Sequence, residues 1–382
     1  MIAKALVLYL VVILLPDLYL YLRYVRRFRW WWHLLWWVPS LVLTVATILL
    51  AREPNFVPDS MTGLYLYLFL VGFVVMPKLS FSVFSLLGRH GWKAGLATVP
   101  IIWFILFYGT FVGSRQLEVK HVEVTFDQLP AAFDGYRITL FSDVHAGSMS
   151  GERIHFLKAA VDSINAQQSD VIIFAGDLQN QRPQEVEPFQ QVLSQLKAPD
   201  GIFSVLGNHD YADYLGDEVS YVEKYDNEDY IVSLQHDMGW TVLNNSRRYI
   251  HRGADSIVIA GMENDGVGHF PAKGDIARAL WGVTLQQFVV MIEHDPTSWR
   301  RHILPRSHSQ LTLSGHTHAM QFELFGWSPV AFLYKEYDGL YQKAGRYLYV
   351  TKGLGGVIPF RFGAPGEIVV LTLRSKALSS KH

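Results

Sequence analysis

Cysteine is absent from all 382 residues. That excludes a disulfide framework, a zinc–thiolate site and a cysteine nucleophile, and it is equally compatible with an oxidising or a reducing compartment. Charge is also scarce: 18% of residues are Asp, Glu, Lys or Arg, against 50% hydrophobic, and the net charge is −1. No run of Lys and Arg in the polar part of the chain matches a phosphate backbone, so nucleic acid is not an expected partner. There is no internal repeat and no low-complexity linker. Acids are the scarcest group near the N-terminus. Residues 1–112 hold nine Lys or Arg and three acids, leaving 24 basic and 31 acidic residues for the remainder. A basic, apolar first third followed by an acidic, water-compatible remainder is the composition of a membrane anchor joined to a soluble domain.

What is present in the first third is long apolar sequence. A span needs about 20 mainly apolar residues, and four segments qualify: Ile2 to Leu22, Trp30 to Leu50, Met61 to Met76 and Ala94 to Val112. The first has a bare n-region and no small-residue cleavage site, which favours an anchor over a signal peptide. The Trp30–Trp32 and Trp36–Trp37 clusters suit an interfacial belt. Pro77 to Lys93 is mixed and reads as a short amphipathic helix along the interface. The first loop carries Arg23, Arg26, Arg27 and Arg29, and the third Lys78, Arg89 and Lys93; the second has Arg52 against Glu53 and Asp59. With four spans, loops one and three are expected in the cytoplasm and the C-terminal domain outside it. Three or five spans would reverse that. Asp17, beside Pro16, is the one intramembrane charge expected, so an ion or proton path through the spans has little support. The division expected is a membrane domain at 1–114 and a soluble domain at 115–382, with a short junction that keeps the second near the bilayer.

From Glu118 the pattern changes. His121–Phe126 alternates like a half-buried strand, and Tyr136–Phe141, Val171–Phe174 and Ile202–Leu206 read as buried strands separated by helical periodicity over Ile154–Ile164 and Val186–Leu196. Strand, helix, strand, helix, strand predicts an α/β sheet with parallel connections. Tyr211 to Trp240 is polar and gives no clear assignment. Thr241–Leu243, Tyr249–Ile250 and Ser256–Ala260 read as strands with a hairpin turn at Asn244–Asn245; Gln287–Ile292, Leu311–Leu313, Tyr347–Val350 and Glu367–Leu373 read as further strands.

Five of these apolar runs end in a polar motif: Asp143-x-His145, Gly176-Asp177, Gly207-Asn208-His209-Asp210, His294, and Gly315-His316-x-His318. Sites in α/β sheets form at the carboxyl ends of strands, so five such ends converge on one patch. Imidazole and carboxylate suit manganese, iron or zinc, and a paired site about 3.5–4 Å across activates water and stabilises both the attacking and the leaving oxygen at phosphorus.

This ordered series resembles the calcineurin-like metallophosphoesterases, over about residues 135–375, in particular a membrane-anchored bacterial branch. The resemblance implies a four-layer α/β/β/α sandwich with two divalent ions (Mn2+, Fe2+ or Zn2+) at one edge. By motif, Asp143, His145 and His318 would hold the first and Asn208, His294 and His316 the second, with Asp177 bridging and a metal-bound hydroxide as nucleophile. His209 would be no ligand but a general acid or a stabiliser of the leaving oxygen. Two positions depart from the pattern: Gln179 and Asn180 stand where the family often has a further acid, and Ala319-Met320 where many relatives have Gly-Gly.

Asp210 reads as a turn cap, Glu293 and Asp295 as solvated or supporting groups, and His155, His236, His251, His269, His302 and His308 as surface histidines. Phe322, Phe325, Trp327, Phe332 and Tyr334 form either core or a lipid-facing lip, and Glu263-Asn264-Asp265 a loop reaching into the cleft. The function expected is a membrane-bound hydrolase of a phosphomonoester or phosphodiester, lipid-linked or from the cell envelope. The rivals are a non-catalytic metal-stabilised scaffold or sensor, and an enzyme whose spans admit lipid.

Overall fold

A computed structural model describes residues 2–52, 61–88, 90–215 and 219–376, with side chains from residue 9 onward. The chain divides into two units, Met1–Val112 and Gly113–His382, two residues short of the expected boundary. The first is helical: α1 (Ile2–Leu20), α2 (Trp30–Leu50), α3 (Met61–Ser85) and α4 (Gly91–Phe111). Each contains one internal proline, at Pro16, Pro39, Pro77 and Pro100. Proline is tolerated inside membrane helices because neighbouring helices, Ser and Thr side chains and local changes of helical pitch satisfy the backbone groups it frees. Among the described residues, three helices are long and apolar enough to cross a membrane: α2, α3 and the one beginning at Gly91. The side chains of 2–8 lie outside the described residues, so the span at α1 rests on its sequence. Arg89, and the second-loop acids Glu53 and Asp59, also lie outside them.

Two expectations for this unit are corrected. No separate interfacial helix follows Met76, because α3 continues through a buried Pro77 to Ser85. Lys78 therefore lies inside a helix, where its Nζ is 2.6 Å from the buried Asp17 carboxylate and 3.1 Å from Ser40 Oγ. Asp17 is thus not the only charge within the helical unit.

The second unit holds twelve described strands in two six-stranded sheets. The first sheet runs β1 (Leu117–Phe126), β12 (Gly366–Ser375), β2 (Arg137–Phe141), β3 (Val171–Phe174), β4 (Ile202–Ser204), β5 (Thr241–Val242). The second runs β10 (Gly339–Lys343), β11 (Arg346–Val350), β9 (Leu311–Ser314), β8 (Phe288–Ile292), β7 (Asp255–Gly261), β6 (Ser246–Arg252). Strands β2, β3 and β4 are mutually parallel, as are β7, β8 and β9.

Period-two alternation explains the layering. In β3, Val171 and Ile173 face a core shared between the sheets, packing with Ile138, Leu140, Ile257, Ile259, Val290 and Leu311. Ile172 and Phe174 point the other way, onto α5 (Arg153–Ala166), α6 (Gln190–Leu193) and α7 (Tyr221–Asp237). In the second sheet, Val258, Val289 and Met291 face outward onto Trp299, Ile303 and Ile276. The result is the expected helix–sheet–sheet–helix sandwich. Truncating one of these buried aliphatics would cost about 2–5 kcal/mol.

Differences from the sequence reading have local causes. The unassigned polar stretch contains α7, a 17-residue helix capped by Ser220, whose Oγ accepts from Glu223 N–H. It buries only Asn227, Ile231, Leu234 and Gln235, too narrow a stripe for periodicity to reveal. The Val186–Leu196 helix is one tight turn, Glu187–Phe189, and the short α6. The hairpin turn lies at Gly253-Ala254 between β6 and β7, not at Asn244-Asn245. Those asparagines instead carry the chain from the first sheet to the second, where Asn245 Oδ1 accepts from the Glu263 and Asp275 N–H groups.

Candidate metal centre

Parallel neighbours put their carboxyl ends on one side. β2 ends at Phe141 and is followed by Asp143 and His145; β3 by Asp177; β4 by Asn208 and His209; β8 by His294; β9 by His316 and His318. Three ends come from the first sheet and two from the second, so the site lies along the edge where the sheets face each other.

The backbone must turn sharply at each end, and the candidate ligands themselves make the turn. Asp143, His145, Asp177, His316 and His318 all have positive φ, at 55°, 49°, 62°, 76° and 51°. For residues other than glycine this conformation is uncommon, and in a non-glycine it is stored strain of the kind found at functional sites. Ala319 and Met320 continue it, both at φ 49°. Glycine would adopt these angles freely, so the Ala-Met pair costs about 1–2 kcal/mol per residue. Gly176, at φ 95°, is needed for space as well: a Cβ there would lie 2.7 Å from His294 Nδ1.

One ligand atom each from Asp143, His145, Asp177 and His318 lies within 4.8 Å of the others. His318 Nε2 is 3.3 Å from Asp143 Oδ1 and 3.3 Å from His145 Nε2. Asp177 joins this group to the next, its Oδ2 lying 3.6 Å from His145 Nε2 and 3.2 Å from His294 Nε2. The His294 and His316 rings are 5.2 Å apart, and His316 Nδ1 is 2.7 Å from Asn208 Oδ1. The structure therefore brings together all seven residues expected as ligands. His209 joins them: its N–H donates to Asp177 Oδ1 (2.9 Å), and its ring centre is 4.8 Å from that of His145.

The electrostatics fit a cation. Burial lowers His145 to about 3 and His316 to about 4, and it holds His318 well below the usual imidazole range. These rings are neutral, with lone pairs for a metal. Burial raises Asp143 to about 7, helped by the Asp177 charge and opposed by His294 and the Ser142 hydroxyl. Burial would also lower His294, but the Asp177 and Asp143 carboxylates outweigh it and carry the ring up to about 10. His294 in turn helps to hold Asp177 well below the usual carboxylate range, against burial. Crowded carboxylates and neutral imidazoles, all buried, suit a hard-to-borderline divalent ion. His294 Nε2 is buried and faces Asp177 Oδ2 at 3.2 Å, while Nδ1 lies 2.6 Å from the Ala175 carbonyl. That carbonyl holds a proton on Nδ1, so Nε2 is the atom that would face a metal once its own proton is displaced.

Several supporting residues carry the loops. Asp210 accepts from four backbone N–H groups, of Asp177, Leu178, Gln179 and Gly207, at 2.9–3.2 Å. Its place in Gly-Asn-His-Asp marked it as a cap, and it caps two loops at once. Glu185 accepts from the N–H groups of Asn180, Gln181 and Arg182. Arg361 is buried, and its guanidinium donates to carbonyls at Lys352, Gly353, Gly355, Ala364 and Pro365, shaping the loop that covers Asp143. No motif pointed to Glu185 or Arg361. Tyr214 and Tyr334 also reach the site, through Asn208 and His316.

Other expectations fail. Of the two readings for Glu293 and Asp295, solvated fails and supporting stands: both are buried, and Glu293 accepts from the Asp265 N–H. Asn264 and Asp265 do not reach into a cleft: Asn264 Nδ2 donates to the Pro271 carbonyl, and Asp265 accepts from Ser298 Oγ. His302, half-buried, pairs with Asp265 and is not a free surface group. The aromatic run is not core, since Phe325 is 98% and Phe332 82% exposed.

Comparison with known proteins points to one family. The family model for the calcineurin-like phosphoesterases matches residues 136–320. A zebrafish (Danio rerio) "transmembrane protein with metallophosphoesterase domain" is 31% identical over 70% of this chain and 60% of its own length. This chain thus spans less than two thirds of that relative. An uncharacterised metallophosphoesterase of Helicobacter pylori (strain J99) is 31% identical over 70% of this chain and 67% of its own. A Chlamydia muridarum protein named as the UDP-2,3-diacylglucosamine pyrophosphatase LpxG is 24% identical over 69% and 92%. With three apolar helices of spanning length and relatives named as transmembrane proteins, this is a membrane protein.

Proposed function

This chain belongs to the calcineurin-like phosphoesterase family, and on that premise we propose that it is a membrane-bound hydrolase of phosphomonoesters or phosphodiesters working through two divalent ions. The observation that carries this is Asp177. One carboxylate oxygen lies 3.6 Å from His145 and 3.2 Å from His294, so a single group serves both halves of the donor set. Asp143, His145 and His318 would hold one ion and Asn208, His294 and His316 the other, with Asp177 between them. When bound, such ions supply an activated water and neutralise charge at phosphorus. The protein's own contribution is orientation. His209 Nδ1 is held 2.7 Å from the Asn180 carbonyl, which keeps a proton on Nδ1; as the imidazolium, the ring would deliver its second proton, on Nε2, to the leaving oxygen.

The substrate class we propose is a lipid-linked or envelope phosphoester. Its support is the apolar surface of Phe325, Phe332 and Leu333, which follows closely on His318, together with the membrane helices and the diacylated substrate in the name of the Chlamydia relative. We place the domain outside the cytoplasm, from the arginines of the first loop and a fourth span at α1. A C-terminal reporter active only outside the cytoplasm should be active; a silent one reverses the orientation.

Asp177→Asn tests the site. Metal-dependent hydrolysis of a chromogenic phosphomonoester and phosphodiester should fall by about three orders of magnitude. A fully active variant would sink the assignment. A metal-loaded wild-type protein that turns over neither ester nor a lipid phosphoester would favour the scaffold reading.

A further inference from the structure

A ligand side chain with two polar atoms must present the correct one. The Asn208 amide can turn its oxygen or its nitrogen inward, and the His316 ring can carry its proton on either nitrogen. A phenol sits at the outward atom of each. Asn208 Nδ2 donates to the Tyr214 oxygen at 2.7 Å, which leaves Oδ1 facing inward. His316 Nε2 lies 2.8 Å from the Tyr334 oxygen, which leaves Nδ1 facing inward. The two inward atoms are only 2.7 Å apart. Nδ1 donates to Oδ1 when it carries the ring proton; with the proton on Nε2, facing the Tyr334 oxygen, both inward atoms are acceptors open to a common cation.

The tyrosines arrive from different parts of the chain. Tyr214 lies in the turn Asp213–Leu215, and its ring stacks on His209 with centroids 4.2 Å apart and an 18° interplanar angle. Tyr334 lies beyond the exposed Phe332-Leu333 pair, edge-on to the His316 ring at 5.5 Å.

We propose that Tyr214 and Tyr334 are positioning residues for one half of the centre: they hold Asn208 Oδ1 and His316 Nδ1 toward a common cation and so set the affinity of the second metal position independently of the first. This rests on the two-metal reading above. Loss of a group that orients a metal ligand weakens binding by about 10–100-fold. Tyr→Phe removes only the hydroxyl and keeps each ring in place.

The test titrates chelator-stripped, full-length protein in detergent with Mn2+, by calorimetry and by electron paramagnetic resonance. Wild type should show two sites and a spin-coupled Mn–Mn signal. Tyr214→Phe and Tyr334→Phe should each weaken one site by about tenfold or more and leave the other unchanged. The double variant should bind one Mn2+ tightly and lose the coupled signal, with a metal-free melting temperature near that of wild type. Two sites of wild-type affinity in both variants would overturn the proposal and leave the two-metal reading standing. Equal weakening of both sites with a lower metal-free melting temperature would make the tyrosines merely structural, which also overturns it. A single site in the wild type would instead sink the two-metal reading.

Discussion

The two units of this protein use apolar sequence in opposite directions. In the helical unit, Leu15, Leu35, Leu41 and Phe104 are 60–64% exposed, whereas Ile138, Leu140, Ile173 and Val290 in the sandwich have no exposure. Lipid accepts the first arrangement and water enforces the second. Each unit also buries charge, and here the difference is more instructive. Asp17 meets Lys78, which also bonds Ser40 and lies 4.5 Å from the Trp36 ring. That pair is closed: one anion and one cation, with the Ser40 hydroxyl oxygen accepting from the ammonium. Asp177 meets two histidines and one backbone N–H, within a set of carboxylates and neutral imidazoles that holds far more lone pairs than protons. A buried charge balanced inside the protein is architecture; an excess of buried acceptors is an invitation to a cation.

The largest expected effect tests the closed pair. Lys78→Met leaves the Asp17 carboxylate buried without a counter-charge, and breaking a buried pair this way costs about 3–5 kcal/mol. The detergent-solubilised protein should show that loss in denaturant unfolding of the helical unit. Asp17→Asn combined with Lys78→Met should recover most of it, because a neutral pair carries no unbalanced charge. Metal content and hydrolysis of a small soluble phosphoester should stay at wild-type values in the double variant. If the double variant folds but loses metal or turnover, the pair has a part in the chemistry and the contrast between the units collapses.

The legibility of the sequence divides along the same line. The strand ends were readable because Asp143, Asp177, Asn208, His294 and His316 each follow a short apolar run, and the chemistry at a strand's end is local to its sequence. α7 was not readable, because its polar residues are satisfied by partners far along the chain: Asn227 bonds Gln179 and the Gln181 carbonyl. The α3 boundary was misjudged because Pro77 and Lys78 look like the end of a span, and only a distant Asp17 makes a lysine tolerable there. Tyr214 and Tyr334 belong with these cases. A tyrosine's ring declares apolar burial, and its hydroxyl partner is set by tertiary structure alone. The sequence carried the candidate ligands; the packing chose what orients them.

A smaller effect, graded with pH, tests the open site. In the metal-free protein His294 is raised from 6.5 to about 10. A raised histidine contributes stability that is fully present below pH 6.5 and is lost as pH rises through about 10. Asp177, held low, contributes stability present above pH 3.8 and lost as pH falls through its depressed value. Between those limits His294 carries a proton on Nε2, the atom a metal would use, while Nδ1 remains on the Ala175 carbonyl. A divalent ion must therefore expel that proton, and its apparent affinity should fall about tenfold, or about 1.4 kcal/mol, per unit decrease in pH. Below about pH 7 the Asp143 carboxyl begins to hold a second proton, and the slope should steepen toward two. Calorimetric titration with metal in buffers of different ionisation enthalpy counts these protons directly. About one should be released at pH 8 and closer to two at pH 6. Lys78→Met with Asp17→Asn should leave both counts unchanged, because the closed pair takes no part in metal binding. A count of zero at pH 8 would remove His294 from the ligand set, and with it the distinction drawn between a charge balanced within the fold and one left for an ion.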